Sequence, residues 1–339
     1  MNALFKDENA VYYECGFSCD NELFLSLKDE RYFITDPRYT TEAKEKVQGA
    51  EVVEARDINK KAREILRKKR VKKLFYDPKE LHCQDLEAVR SKLDTKFCPK
   101  PNLSWQKRLI KSEKEIRLIR RSVQLNAEAF DQFAAFVRGC EGWSERRLHF
   151  EAIGFLSRKG EYELSFDPIF AIDENGAKPH AYPSKKRLHE GALVLFDAGI
   201  KYERYCSDRT RTASFGGGFD FDKEEQKFKN PKVQRAYDIV KKAQESAIKA
   251  AKSGMRAKDL DKIARDIIDG SEFAGCFIHS LGHGVGLDIH EMPFINSKNE
   301  QILEDGMVFT IEPGIYVPGE FGIRIEDMVV LQNGRAEVL

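Results

Sequence analysis

The chain has 339 residues, 41% hydrophobic and 33% charged, with 57 basic against 56 acidic side chains and a net charge of +1. That balance removes any global electrostatic case for a nucleic-acid or anionic-membrane partner, and the composition is that of a globular protein, long enough for roughly two domains. No stretch reaches the ~18 apolar residues of a spanning helix, and the first residues lack the apolar core of a signal peptide, so a cytoplasmic protein is expected.

Residues 22–27 and 31–35 read as neighbouring strands around the charged turn Lys28, Asp29, Glu30. Helices follow over 40–47 and 59–69, then a strand over 72–76, and this alternation predicts an α/β layer. The basic run 60–73 is read as the solvated side of a helix that buries Ile65 and Leu66. Phe97-Cys98-Pro99-Lys100-Pro101 breaks the pattern, because proline restricts both itself and the residue before it. It is taken as the domain link, with domains over 1–105 and 106–339.

Ser112 and Glu115 have the form of a capping box at the start of a long helix. Ile116, Ile119, Val123, Phe130, Phe133 and Val137 make its apolar face, and Gly139 ends it. A second helix is expected from Ser144 to Gly160, a third from Asn230-Pro231 to Gly254 and a fourth over 258–268. Between and after the pairs lie β-rich runs at 166–171, 192–198, 210–215 and from Gly306 onward. Two helices, β, two helices, β is an order that points to internal duplication without a visible sequence repeat.

The stretch 279–293 holds His279, His283 and His290, three of the chain's seven histidines. Its glycines and Pro293 rule out a plain helix or long strand, which leaves a strand-and-turn framework. Asp197 ends one apolar strand and Asp208 heads another; a β-hairpin between them would set the two carboxylates side by side. Glu312 and Glu326 also sit among apolar neighbours, and an acid there is costly to bury unless it is paired or bound to a cation. Singly, each reads as a salt bridge or turn residue. Together, Asp197, Asp208, His283, Glu312 and Glu326 suit two divalent metals with some carboxylates shared. The oxygen-rich set favours manganese, with cobalt or zinc as alternatives. Two such ions polarise a carbonyl and acidify a water, which is the chemistry of amide hydrolysis. Of the seven cysteines only Cys15 and Cys19 are close together, and no second pair completes a zinc pattern, so they are read as reduced thiols.

Pro179-His180, Asp197-Ala198-Gly199, Ser207-Asp208 with Thr210-Arg211-Thr212, the stretch 279–293, Glu312-Pro313-Gly314 and Arg324-Ile325-Glu326-Asp327 carry a resemblance. In that order they resemble the pita-bread metallopeptidases, in the proline-specific branch of Xaa-Pro aminopeptidases and prolidases. The N-terminal region, with 13–17 and 35–39, is similar to the creatinase-type domain that precedes the catalytic one in this branch. The resemblance implies an α+β fold, a C-terminal pita-bread domain after a smaller N-terminal α/β creatinase-type domain. It implies that Asp208 and Glu326 bridge the metals, that Asp197 belongs to one, and that His283 and Glu312 belong to the other. His180 and His290 would face the scissile carbonyl and oxyanion, and His279 would line the substrate pocket. Glu312 would hold the proton of the attacking water, and Arg324 would orient an acidic partner or the substrate.

The implied activity is cleavage between an N-terminal residue and a following proline by an aminopeptidase, with a dipeptidase as the alternative. A non-catalytic peptide-binding relative is the remaining reading, disfavoured because all five ligands are present. The implied partners are peptides with proline at the second position and a second copy in a homodimer, with no nucleic acid and no membrane. Two positions depart from the family pattern, Asp173-Glu174 before Asn175-Gly176, and Arg209 between Asp208 and Thr210; both are expected to bear on the substrate pocket.

Overall fold

In the computed structural model, which describes residues 1–223 and 225–339, the unit Met1–Arg108 is built on a six-stranded mixed sheet. Its strand order is Glu51–Glu54, Glu30–Thr35, Glu22–Leu27, Ala3–Phe5, Lys73–Tyr76, Lys96–Pro99. Alternate side chains of a strand point to opposite faces. Leu23, Leu25 and Leu27 therefore pack on one side with Ile58, Ala62, Ile65 and Leu66, while Phe24 packs on the other with Phe5, Phe33 and Val11. The helix Ile58–Lys68 carries the basic run, and its arginines are used locally: Arg63 and Arg67 donate to the carbonyls of Ala88 and Lys92. The proline-rich stretch expected as the domain link is instead the edge strand Lys96–Pro99, parallel to Lys73–Tyr76. An edge position tolerates Pro99 because no ladder partner is waiting for its missing N–H. The unit continues through the helix Leu103–Arg108.

The second unit, Leu109–Leu339, repeats one order twice: a helix pair, then sheet. Glu113–Val137 begins with the expected capping box, Ser112 and Glu115 satisfying each other's backbone amides, and Glu145–Leu156 begins with Ser144 as its cap. The second pair is Pro231–Ala250, capped by Asn230, and Ala257–Asp269. The first helix pair covers the antiparallel sheet Arg209–Ser214, Leu193–Ala198, Ile169–Ile172. Phe133 is fully buried there, its ring 5.0 Å from Phe196 and 5.8 Å from Phe170 between centroids. The second pair covers a five-stranded sheet ordered Glu291–Ile295, Gly282–Gly284, Val308–Ile311, Asp327–Gln332, Arg335–Val338. The two sheets meet where Glu326 N donates to Thr210 O at 3.1 Å. Among the described residues no helix is long and apolar enough to cross a membrane.

Truncating Phe133 to Ala should leave a cavity under the sheet that carries Asp197. A loss of about 3–5 kcal/mol is expected, read from the denaturant midpoint of the second unit.

Candidate metal centre

Asp197 stands in the strand Leu193–Ala198, directly opposite Thr210 in Arg209–Ser214. A β-hairpin between the two runs is expected to set the acids side by side; the strands do pair antiparallel, and the connection between them carries a hairpin of its own. After Ala198 the chain leaves the sheet, makes its own hairpin from Ile200–Tyr202 and Tyr205–Cys206, and returns. That detour needs Gly199, where a Cβ would fall 1.9 Å from Ser207 O. Asp208 therefore arrives from the return leg, just before the ladder begins.

The other three groups come from the second sheet. His283 lies at a bulge in Gly282–Gly284, and a bulge re-aims a side chain. Its Nδ1 faces Gly284 O at 3.1 Å and must donate, since a carbonyl can only accept, so in the neutral ring Nε2 presents a lone pair. That lone pair faces carboxylate oxygens, Asp208 Oδ2 at 3.6 Å and Glu312 Oε1 at 3.3 Å. Lone pair against lone pair is repulsive unless a proton or a cation lies between them. Glu312 accepts from Thr310 Oγ1 at 3.1 Å, and Glu326 accepts from Thr210 Oγ1 at 2.6 Å. Asp208, His283 and Glu326 can each offer one ligand atom within 4.8 Å of the others.

Burial makes this grouping costly. Asp208 and Glu326 are pushed well above the usual carboxylate range by desolvation and then by the neighbouring carboxylates. Asp197 rises too, through desolvation, which Arg324 opposes. Burial would raise Glu312 too; a proton carried on His283 Nε2 in place of the lone pair would more than reverse this and bring it down to about 2. Burial pulls Arg324 down, while Tyr316, Asp197, Glu312 and Glu326 overcome this and hold it well above its ordinary value. Asp197 Oδ1 is a buried oxygen without a hydrogen-bond partner among the described residues. The unpartnered oxygen, the clustered buried carboxylates and the aimed imidazole form a donor set that fits divalent cations.

Arg324 ties the set together. It pairs with Asp197, donates through Nε to Thr210 Oγ1 at 2.9 Å, and through Nη1 to Tyr316 OH at 2.7 Å and Pro179 O at 3.2 Å. Tyr316 OH passes its proton's hydrogen bond to His279 Nε2 at 3.0 Å, and His279 Nδ1 donates to Ser280 O at 2.8 Å. Thr210, Thr310 and Tyr316 are not among the site residues expected from the sequence. The signal was present for the threonines: Thr210 and Thr212 share one strand face, and Thr310 precedes Glu312 by two.

His180, His279 and His290 all line one cavity of about 410 Å³, together with Asp197, Asp208, His283, Glu312, Arg324 and Glu326. His180 and His290 reach the surface; the His290 ring meets the His283 ring edge to face at 4.3 Å, and partial desolvation and then His283 lower it to about 4. Phe166, Pro168, Tyr182, Pro183 and Ile289 form the apolar wall. Asp173, Glu174 and Arg209 do not line it: Asp173 caps Leu193 N at 2.8 Å, and Arg209 pairs with Asp222. The glycines beside His283 let backbone come close: a Cβ on Gly282 would meet Thr310 O at 1.9 Å and one on Gly284 would meet Met292 O at 2.2 Å. Below the turn leading to His290, Lys111 Nζ meets Glu291 Oε1 at 2.5 Å, both side chains 1% exposed.

Residues 117–333 match the model of metallopeptidase family M24, and residues 2–110 that of the creatinase/prolidase N-terminal domain. An uncharacterized peptidase of Staphylococcus aureus is 42% identical over 234 residues, 69% of this chain and 63% of that protein, so the match spans under two thirds of that relative's length. Two solved structures align over 99% of this chain at 32% identity. The Xaa-Pro dipeptidase from Bacillus anthracis gives a TM-score of 0.91 with 92% of its chain covered. The X-Pro aminopeptidase from Thermotoga maritima gives 0.88 with 94% covered.

Replacing Thr210 by Val removes one donor from Glu326 and one acceptor from Arg324 in a water-free setting. The variant should lose about 1–3 kcal/mol in chemical denaturation, whereas Thr→Val at an exposed site should be near neutral.

Proposed function

Because the chain belongs to metallopeptidase family M24, we propose that it is an Xaa-Pro aminopeptidase, hydrolysing the bond between an N-terminal residue and a following proline. The observation that carries this reading is that Asp208 and Glu312 face His283 Nε2, that Glu326 lies within ligand reach of Asp208 and His283, and that Asp197 lines the same apolar-walled cavity. Two divalent ions, manganese first, held by these five residues with Asp208 and Glu326 shared, would supply carbonyl polarisation and a water acidic enough to attack.

The chain's own groups do the rest. Glu312 takes the proton of the attacking water, its second contact to Thr310 fixing the orientation. His180 and His290 stand at the cavity face and donate to the oxygen on which charge develops. His279, held at both ring nitrogens, is a fixed part of the pocket wall. Arg324 fixes the Asp197 carboxylate and, through Pro179 O, the segment that carries His180. A prolyl amide lacks an N–H and brings a ring, and the wall of Phe166, Pro168, Tyr182, Pro183 and Ile289 offers apolar surface to such a ring.

Aminopeptidase is favoured over dipeptidase by charge. A dipeptide ends in a proline carboxylate and asks for a cation at that end of the cavity. Among the described residues lining it, Arg324 is the only lysine or arginine, and it is already engaged by Asp197, Tyr316, Thr210 and Pro179. A longer peptide has an amide there instead and continues outward. The similarity to the Bacillus anthracis enzyme keeps the dipeptidase as the second reading. The proposal includes a homodimer, checked by light scattering, and a cytoplasmic setting, which seven free cysteines fit.

With manganese supplied, Xaa-Pro-Xaa peptides should be turned over faster than Xaa-Pro; the opposite order makes the protein a dipeptidase, and turnover of neither ends the peptidase reading. Asp208→Ala or Glu326→Ala should abolish both bound manganese, by elemental analysis, and the rise in Tm that manganese causes in the parent. His290→Ala should keep both metals and lose about 10²- to 10⁴-fold in kcat.

A further inference from the structure

The segment 178–184 supplies Pro179, His180, Ala181, Tyr182 and Pro183 to the cavity, yet it has no regular secondary structure. A histidine that must meet a reacting carbonyl to within a fraction of an ångström needs its backbone held by something. What holds it lies on the far side of the loop. Glu145, at the first turn of the helix Glu145–Leu156, is 0% exposed, and among the described residues no cation pairs with it. Its carboxylate instead collects three N–H donors: Ile172 N at 2.7 Å, Asn175 Nδ2 at 2.8 Å and Ser184 N at 2.6 Å. These come from the end of the strand Ile169–Ile172, the turn after it and the far end of the loop. The Asn175 amide also donates to Tyr182 O at 3.0 Å, while its oxygen accepts from Lys178 Nζ at 3.0 Å. Glu145 N donates to Lys186 O at 2.9 Å and Arg146 N to Ser184 O at 3.2 Å, so the helix start clasps the loop's exit as well.

We infer that Glu145 is a positioning residue for catalysis: with Asn175 it sets the loop 178–184 and so the place of His180 at the scissile bond. This rests on the reading of His180 given above. A buried carboxylate serves this purpose better than an amide because all its lone pairs accept, so three donors from three segments can converge on one point. The start of a helix suits its charge. Glu145→Gln keeps the shape but turns one accepting oxygen into a donor facing a donor. One of the three tethers must then let go.

The test compares Glu145→Gln, His180→Ala and the double variant, each loaded with manganese and checked for metal content and Tm, on an Xaa-Pro-Xaa peptide. Glu145→Gln should keep both metals and lower kcat about 10- to 100-fold with a smaller change in KM. In the His180→Ala background the same substitution should cost less than threefold, because the group it positions is gone. Equal costs in the two backgrounds, loss of metal in Glu145→Gln, or an unchanged kcat overturns the inference. If His180→Ala itself is fully active, it is the role of His180 that fails, a different result. Should Glu145→Gln not fold, Asn175→Ala, which frees Tyr182 O and leaves the Ile172 and Ser184 tethers in place, is expected to show the same pattern at smaller amplitude; an additive loss there overturns the inference equally.

Discussion

Four carboxylates occupy one cleft with a single guanidinium among them, and the surrounding fold answers the repulsion that results. Three of the four are under a tenth exposed, so water does little to screen them. Arg324 compensates one charge, and its guanidinium makes four hydrogen bonds, to Asp197, Thr210, Tyr316 and Pro179, none of which could move without leaving a buried donor unmatched. The remaining carboxylates are a donor set that fits divalent cations.

This balance explains why the polar residues around the cleft are threonines and a tyrosine. Each hydroxyl both donates and accepts, so it can stand between an acid and a base without adding charge. Thr210 sits between Glu326 and Arg324, and Tyr316 between Arg324 and His279. The lines of hydrogen bonds begin at the strand ends of both sheets and close on one another. Ordering is thereby transmitted to Pro179 and His279, which bound the cavity.

The identity of the charged groups could be read from the sequence because an acid inside an apolar β run is an anomaly that needs a cause, and because His283 lies in a stretch too rich in glycine for a helix. Their mutual geometry could not. Asp197 and Asp208 are close in sequence, yet a separate hairpin lies between them, and periodicity does not reveal where a strand leaves one sheet for another. The glycines around His283 were visible, but a missing Cβ does not say which neighbour takes the space. Pro99 looked like a break for the same reason: the sequence shows the lost N–H, and only the sheet shows that the strand is at an edge. Lys111 with Glu291, and Glu145 with Ser184, are contacts between distant segments that no local pattern announces.

The meeting of Thr210 with Glu326 also governs when the cleft exists during synthesis. Asp197 and Asp208 leave the ribosome well over a hundred residues ahead of Glu326, an interval on the order of ten seconds at ~5–20 residues per second. Until Glu326 emerges, the first sheet lacks the bridge that joins it to the second, and Arg324 has not yet reached Asp197. A partly made chain thus carries the acids without the enclosure that turns them into a cation site. The cleft closes only after nearly all of the unit Leu109–Leu339 has been made, so its assembly reports that this unit has folded.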